Sequence, residues 1–258
     1  MPAAPSVDPA LADAVTLVNP DGRGDLVLAC EHASNHIPEA FGDLGLDAAQ
    51  RRSHIAWDPG ALAVARLLSA RLDAPLVASA ISRLVYDCNR ADGAPDAVPD
   101  RSELTDIPGN RNLSAEAIRA RRDLAYGPFR AALEACLDAR ADRGVPLVTV
   151  HSFTPVYKGR ERDLDIGILH DADARLADRL LAAAARRTDL RVRRNAPYGP
   201  EDGVTHTLQA QAVSRGLPNA MFEIRNDLIA DAAGQRALAD LLADLITEAR
   251  TDLLAHQE

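Results

Sequence analysis

His32 stands one residue beyond the apolar run LVLAC, and His151 directly follows PLVTV, so both imidazoles are expected to project from strand ends into one crevice. Two histidines and one carboxylate, with a fourth position left for water, form the usual ligand set of a catalytic zinc. Two carboxylates compete for the third place. Asp58, in HIAWDPGA, precedes a proline suited to the first turn of a helix, so it could instead be an N-cap. Glu31 adjoins His32, and neighbours in a strand face opposite ways, so it joins the same ion only if the strand has already turned. Asp58 is the expected ligand and Glu31 the alternative. Glu223 follows the apolar run AMF, and Arg225 lies two residues on, on the same face of an extended strand. A glutamate there can take a proton from water and pass it to a leaving amine, and an arginine can hold a carboxylate or an oxyanion. A mutual ion pair at the sheet edge is the plain alternative.

Arg83, Asn89 and Arg90 come from RLVYDCNR, where Asp87 and Asn89 would share one face of a strand. Arginine presents a planar donor fork that fits a carboxylate, so Arg83, Asn89, Arg90 and Arg225 together would suit an acidic substrate. His206 sits in NAPYGPEDGVTHTL, in the first turn of an expected helix, where the dipole disfavours its charged form, so as a neutral ring it could donate a hydrogen bond to the substrate; a surface residue is the plain alternative.

These clusters share a setting. CEHASN, YDCNR, HSFTP and EIRND each close an apolar β-type run, and in open α/β sheets the carboxyl edge is where ligands bind. The runs alternate with helical patterns. Strands are expected at about 25–31, 75–80, 84–88, 145–150, 164–169, 190–193 and 219–224, and helices at about 59–73, 115–142, 172–187, 206–215 and 232–255. Gly127-Pro128 should kink or break the second helix, and Ser114 should cap it without a full capping box, because Ala117 stands where Glu or Gln would be needed. The pattern predicts a three-layer αβα fold with a mixed, mostly parallel central sheet. Residues 1–24 read as an extension whose VTLV covers one edge, and 25–258 as one α/β domain. The Ala-, Asp-, Gly- and Pro-rich stretch from Arg90 to Pro108 reads as a long functional loop.

The 258 residues carry a formal net charge of −9, which argues against nucleic-acid or anionic-membrane partners. Lys158 is the sole lysine. Cys30, Cys88 and Cys136 are odd in number and widely spaced, which favours reduced thiols in the cytoplasm. No apolar stretch reaches the ~20 residues of a membrane span, and MPAAPSVDPA lacks the basic and apolar parts of a signal peptide.

The motifs CEHASNHIP, SRLVYDCNR, HSFTP, GRERDLDIGIL, NAPYGPEDGVTHTL and FEIRNDLI, in this order from about Leu26 to Ile229, resemble the N-formylglutamate amidohydrolase family, itself distantly similar to zinc carboxypeptidases. The resemblance implies a zinc-carboxypeptidase-related fold and one Zn²⁺ per chain. It implies His32 and His151 as ligands, Asn89-Arg90 as the carboxylate-binding pair and Glu223 as general acid and base. Carboxypeptidases carry a ligand glutamate three residues after the first histidine. Here that position is Asn35, so the carboxylate must come from Asp58 or Glu31. The expected activity is zinc-dependent hydrolysis of a linear amide, with N-formyl-L-glutamate or a related N-acyl acidic amino acid as substrate. A peptidase or amidase on a larger substrate and a non-catalytic binder of acidic metabolites are the alternatives.

Overall fold

The computed structural model describes residues 14–255. The first thirteen residues of the expected extension, and His256, lie outside the described residues. In chain order the elements are β1 (Val15–Val18), β2 (Val27–Cys30), α1 (Ala61–Arg71), β3 (Leu76–Ser79), the hairpin β4 (Arg101–Ser102) and β5 (Thr105–Asp106), α2 (Ala115–Leu124), and α3 (Tyr126–Asp138). There follow β6 (Leu147–Phe153), the hairpin β7 (Val156–Tyr157) and β8 (Arg160–Glu161), β9 (Ile166–Leu169), α4 (Arg175–Arg187), β10 (Val192–Arg194), β11 (Asn219–Arg225) and α5 (Ala232–Ala255).

Seven strands form the central sheet in the order β1-β3-β2-β6-β11-β9-β10. The ladders β3/β2, β2/β6, β6/β11 and β9/β10 are parallel, and β1/β3 and β11/β9 antiparallel. Every residue of β2, β3, β6 and β9 is buried, as expected of strands covered on both faces, which is why they read as continuous apolar runs. Alternate residues feed two cores. Leu28, Cys30, Val148, Val150, Phe222 and Ile224 pack under α1, α4 and α5, and Val27, Ala29, Leu147 and Met221 pack under α3 and the turns around Leu208 and Ala212. The architecture is the three-layer αβα fold.

Three local details depart from the sequence reading. VTLV does more than lie over an edge, because β1 pairs antiparallel with β3 as the sheet's edge strand. Residues 84–88 are not a strand. Val85 N donates to Ser82 O, Asp87 N to Ala97 O and Arg90 N to Asp87 O, so the chain turns repeatedly, and Leu84, Val85 and Tyr86 are apolar because loops bury them. A short apolar run cannot by itself tell a ladder from a buried turn. The expected 206–215 helix is present, but its 208–212 segment is wound as a π-helix and its 213–215 segment as a 3-10 turn. By contrast, Ser114 Oγ accepts from Ala117 N as the expected cap, and the 115–142 helix breaks at Ala125, two residues before Gly127.

Candidate metal and hydrolytic site

β2, β6 and β11 run parallel, so their carboxyl ends reach the same sheet edge, and the side chains there line a cleft of about 340 Å³. Register fixes two of them. Glu223 stands opposite His151 on neighbouring strands, two residues beyond the paired Met221 and Thr149, so both point to the α3 side of the sheet. The chain leaving β2 turns at once, and Asp58 N donates to His32 O, which brings the approach to α1 beside it.

Asp58 is not the cap of α1. That place belongs to Gly60, in the left-handed region at φ +83, and the Asp58 carboxylate faces the sheet edge, where Oδ2 accepts from Ser152 N at 3.2 Å. Oδ2 also lies 2.9 Å from His151 Nδ1 and 3.4 Å from His32 Nδ1, while the two Nδ1 atoms are 3.2 Å apart. Around a tetrahedral zinc with bonds near 2.0–2.1 Å, ligand atoms sit about 3.3 Å from one another. The three atoms therefore have the spacing that such an ion requires, and all three residues are buried.

The opposite ring nitrogens decide the tautomers. His32 Nε2 lies 2.7 Å from Asp87 Oδ1, and His151 Nε2 lies 3.0 Å from Glu31 Oε2, the latter an ion-pair contact rather than an aligned hydrogen bond. An acid behind each ring draws the proton to Nε2 and leaves the Nδ1 lone pair for a cation. Glu31 thus sits behind His151, away from the point the three ligand atoms share. Arg83 ties the two anchoring segments together, with Nη2 donating to Asp87 at 2.8 Å and Nη1 lying 3.5 Å from Asp58.

Electrostatics match this geometry. Burial works to raise the Asp58 carboxyl, but the two histidines overcome it and hold it far below the usual range. Burial likewise works to lower His151, and Glu31 and Asp58 reverse that, raising it well above an ordinary histidine. The negative charge that holds His151 protonated is the charge that a cation placed among these three atoms would offset. Glu223 behaves in the opposite way. Burial pushes it up to about 7, and its Oε2 is buried without a hydrogen-bond partner. A carboxyl at that value can both accept and return a proton near neutrality.

The expected substrate-binding residues divide. Arg83 and Arg90 line the cleft. Arg90 donates from Nε to Asp96 and from Nη1 to the carbonyls of Asn89 and Gly203, and among the described residues Nη2 has no partner. Asn89 lines the cleft too, but its amide is spent on the backbone, donating to Val204 O and accepting from Thr207 N. Arg225 lies outside the cleft lining and pairs with Asp165 and Asp227 at 2.8 Å each, pinning the end of β11 to the start of β9. It does not pair with Glu223. His206 also lies outside the lining, with Nε2 2.9 Å from the Tyr126 hydroxyl, and burial lowers its pKa. Cys30, Cys88 and Cys136 are free thiols, and burial pushes each up, the reverse of what a nucleophile needs.

A family model described as N-formylglutamate amidohydrolase matches residues 24–230. The chain belongs to the N-formylglutamate amidohydrolase family. The fold of this family member is similar to the crystal structure of a gene product from Agrobacterium tumefaciens. The two are 52% identical with a TM-score of 0.91, over 95% of this chain and 98% of that one. It is also similar to the crystal structure of an N-formylglutamate amidohydrolase from Ralstonia eutropha JMP134, at 21% identity and a TM-score of 0.65, over 93% of this chain and 98% of that one. At 21% identity that likeness is one of fold. No curated protein gives a significant match.

In this amidohydrolase Asp87, Arg101 and Tyr198 also line the cleft, and the sequence pattern assigned none of the three a role there. Asp87 carried a signal, because a histidine that binds metal through one nitrogen needs an acceptor for the other. Tyr198 lies within the motif NAPYGPEDGVTHTL but closes no apolar run, and Arg101 carried no signal, since only the folding of distant loops brings either to the sheet edge. No helix among the described residues is long and apolar enough to cross a membrane.

Proposed function

We propose that this amidohydrolase hydrolyses the linear amide of an N-acylated acidic amino acid, N-formyl-L-glutamate first, at a zinc ion held by His32, Asp58 and His151. The observation that carries the reading is the convergence of two Nδ1 lone pairs and one carboxylate oxygen beside a glutamate with an unpartnered, buried oxygen. When bound, the ion supplies a Lewis acid that polarises the amide and brings the pKa of water down to about 7. Glu223 takes one proton from the attacking water as its oxygen bonds to the acyl carbon. It then returns that proton to nitrogen as the C–N bond breaks, so one amide and one water become a carboxylic acid and an amine. Asp87 and Glu31 keep the imidazoles in the tautomer that points Nδ1 at the ion. Arg90 and Arg101, with Arg83 nearer the ligand cluster, supply the positive charge that substrate carboxylates require. The cleft volume suits one small metabolite. The chain acts in the cytoplasm, where its free thiols stay reduced.

The test measures zinc in untagged protein by elemental analysis, and formate release from N-formyl-L-glutamate before and after chelation. About one zinc per chain with chelator-sensitive release is the expected result. Zinc without release from this or other N-acyl acidic amino acids would discard the substrate class. Neither metal nor activity after zinc addition would overturn the reading as a whole.

A further inference from the structure

Tyr198 comes to the cleft from the segment between β10 and the turns that precede His206, and glycine at position 167 lets it come close. Gly167 pairs with Glu223 in the β11/β9 ladder, and a Cβ there would fall 1.8 Å from the carbonyl oxygen of Ala196. Any side chain at 167 would push this segment away from the strand that carries Glu223. The missing side chain brings the backbone at 196 against the sheet beside Glu223, and Tyr198, two residues on, lines the same cleft as Glu223, Arg83 and the three ligand residues.

The phenol is held from behind. Arg162 donates from Nη2 to the Tyr198 oxygen at 2.8 Å, and its guanidinium lies over three rings, 4.5 Å from the centroid of Tyr157, 4.7 Å from Tyr198 and 5.6 Å from Phe153. One lone pair of the phenol oxygen is thereby occupied, while no described residue accepts a bond from its O–H. Burial, with the charge of Glu223 close by, pushes the phenol up to about 12, so the proton stays in place at neutral pH. A donor that stays protonated, is polarised by a cation at its own oxygen and has its hydrogen unspent is suited to a partner that acquires negative charge during reaction.

We propose that Tyr198 is a catalytic residue of this site, donating its hydroxyl hydrogen bond to the oxyanion that forms on the scissile carbonyl when water adds, with Arg162 as its positioning residue. The proton stays on Tyr198 throughout. The bond strengthens as the carbonyl oxygen gains charge and weakens again when the C–N bond breaks, so tyrosine neither gains nor loses an atom. The inference rests on the amide-hydrolase reading above.

Tyr198→Phe removes one oxygen and leaves the ring stack in place. Turnover should fall by about one to three orders of magnitude, with KM changed by less than about threefold, with zinc content unchanged and with the unfolding midpoint lowered by no more than the few degrees that loss of the Arg162 bond accounts for. Calorimetry supplies a readout independent of turnover. An N-phosphinyl-L-glutamate, tetrahedral at phosphorus where the acyl carbon stands, should bind Tyr198→Phe at least about tenfold more weakly than wild type, while the product glutamate binds both alike. An active wild type whose Tyr198→Phe variant keeps both its turnover and its analogue affinity would overturn the tyrosine assignment and leave the function standing. Equal losses for analogue and product would make Tyr198 a binding residue and also overturn it. A wild type inert toward every N-acyl amino acid would remove both readings together.

Discussion

At the scale of single residues, the site works through pairs in which one side chain fixes the state of another. Glu223 is the simplest to test. Glu223→Gln keeps the volume and loses the base, so turnover should drop by about 10²–10⁴-fold while zinc content is unchanged. Full activity in the variant would remove Glu223 from the reaction. The base must be ionised to accept a proton, so the rate should fall as pH drops through its pKa. Without a cation beside it that value is about 7, and a bound cation lowers it, so the acid limb of kcat/KM belongs at or below pH 7 and should vanish from the residual activity of Glu223→Gln. Asp87 acts one step further out. Asp87→Asn can still meet His32 Nε2 but no longer compels the proton to stay there, so zinc affinity measured against a chromophoric chelator should weaken by about 10–100-fold. Unchanged affinity would mean that the tautomer of His32 is set without Asp87. That His32, His151 and Glu223 meet at one sheet edge was legible in the sequence because each closes an apolar run. Arg225 lies outside the cleft in which the sequence pattern places it, because strand alternation gives the face of a side chain and says nothing of the acid it meets, here Asp165 from the start of β9.

At the scale of elements, what decides the site is how chain segments approach the sheet edge. The apolar runs of β2, β6 and β11 predicted parallel neighbours with a shared carboxyl end, and period-3.6 patterning located α1, α4 and α5. The turns were harder to read. Residues 84–88 look like a strand because Leu84, Val85, Tyr86 and Cys88 are apolar and buried, yet Val85 N donates to Ser82 O and Asp87 N to Ala97 O rather than to a neighbouring strand, and this turning is what carries Asp87 back to His32. The start of α1 shows the same dependence. Gly60 adopts φ +83, and a Cβ there would lie 2.6 Å from Ile229 O. An alanine could keep neither the backbone angle nor the approach, and Asp58 stands only two residues away. Gly60→Ala should therefore cost roughly 1–3 kcal/mol in denaturant unfolding and also lower zinc content, since the strain is relieved by moving the ligand. Loss of stability with full zinc occupancy would show that Asp58 is positioned by its bonds to Ser152 and His151 rather than by the helix start.

At the scale of the whole molecule, the ligand cluster joins parts of the chain that are far apart in sequence: the loop after β2, the approach to α1 and the end of β6. Glu31, His32, Asp58, Asp87, His151 and Glu223 are six buried ionisable groups at one edge of the sheet. The acids outnumber the histidines four to two and Arg83 offsets only one of them, so without a further cation the folded state must hold buried negative charge or bind protons to relieve it. A zinc ion bound only by the folded chain offsets this and stabilises it by about 4 kcal/mol when free metal is roughly a thousandfold above Kd. For a chain of this length each kcal/mol shifts the thermal midpoint by about 2–4 °C, so zinc should raise it by roughly 8–16 °C and chelation should reverse the rise. Two variants separate this from nonspecific metal binding. Glu223→Gln, which keeps all three ligands, should retain the full shift, whereas His151→Ala should lose it along with the zinc. Equal midpoints with and without zinc in the unaltered chain would mean that the three converging donors do not form a metal site, and that His151 and Asp58 share a proton as a structural pair at the sheet edge.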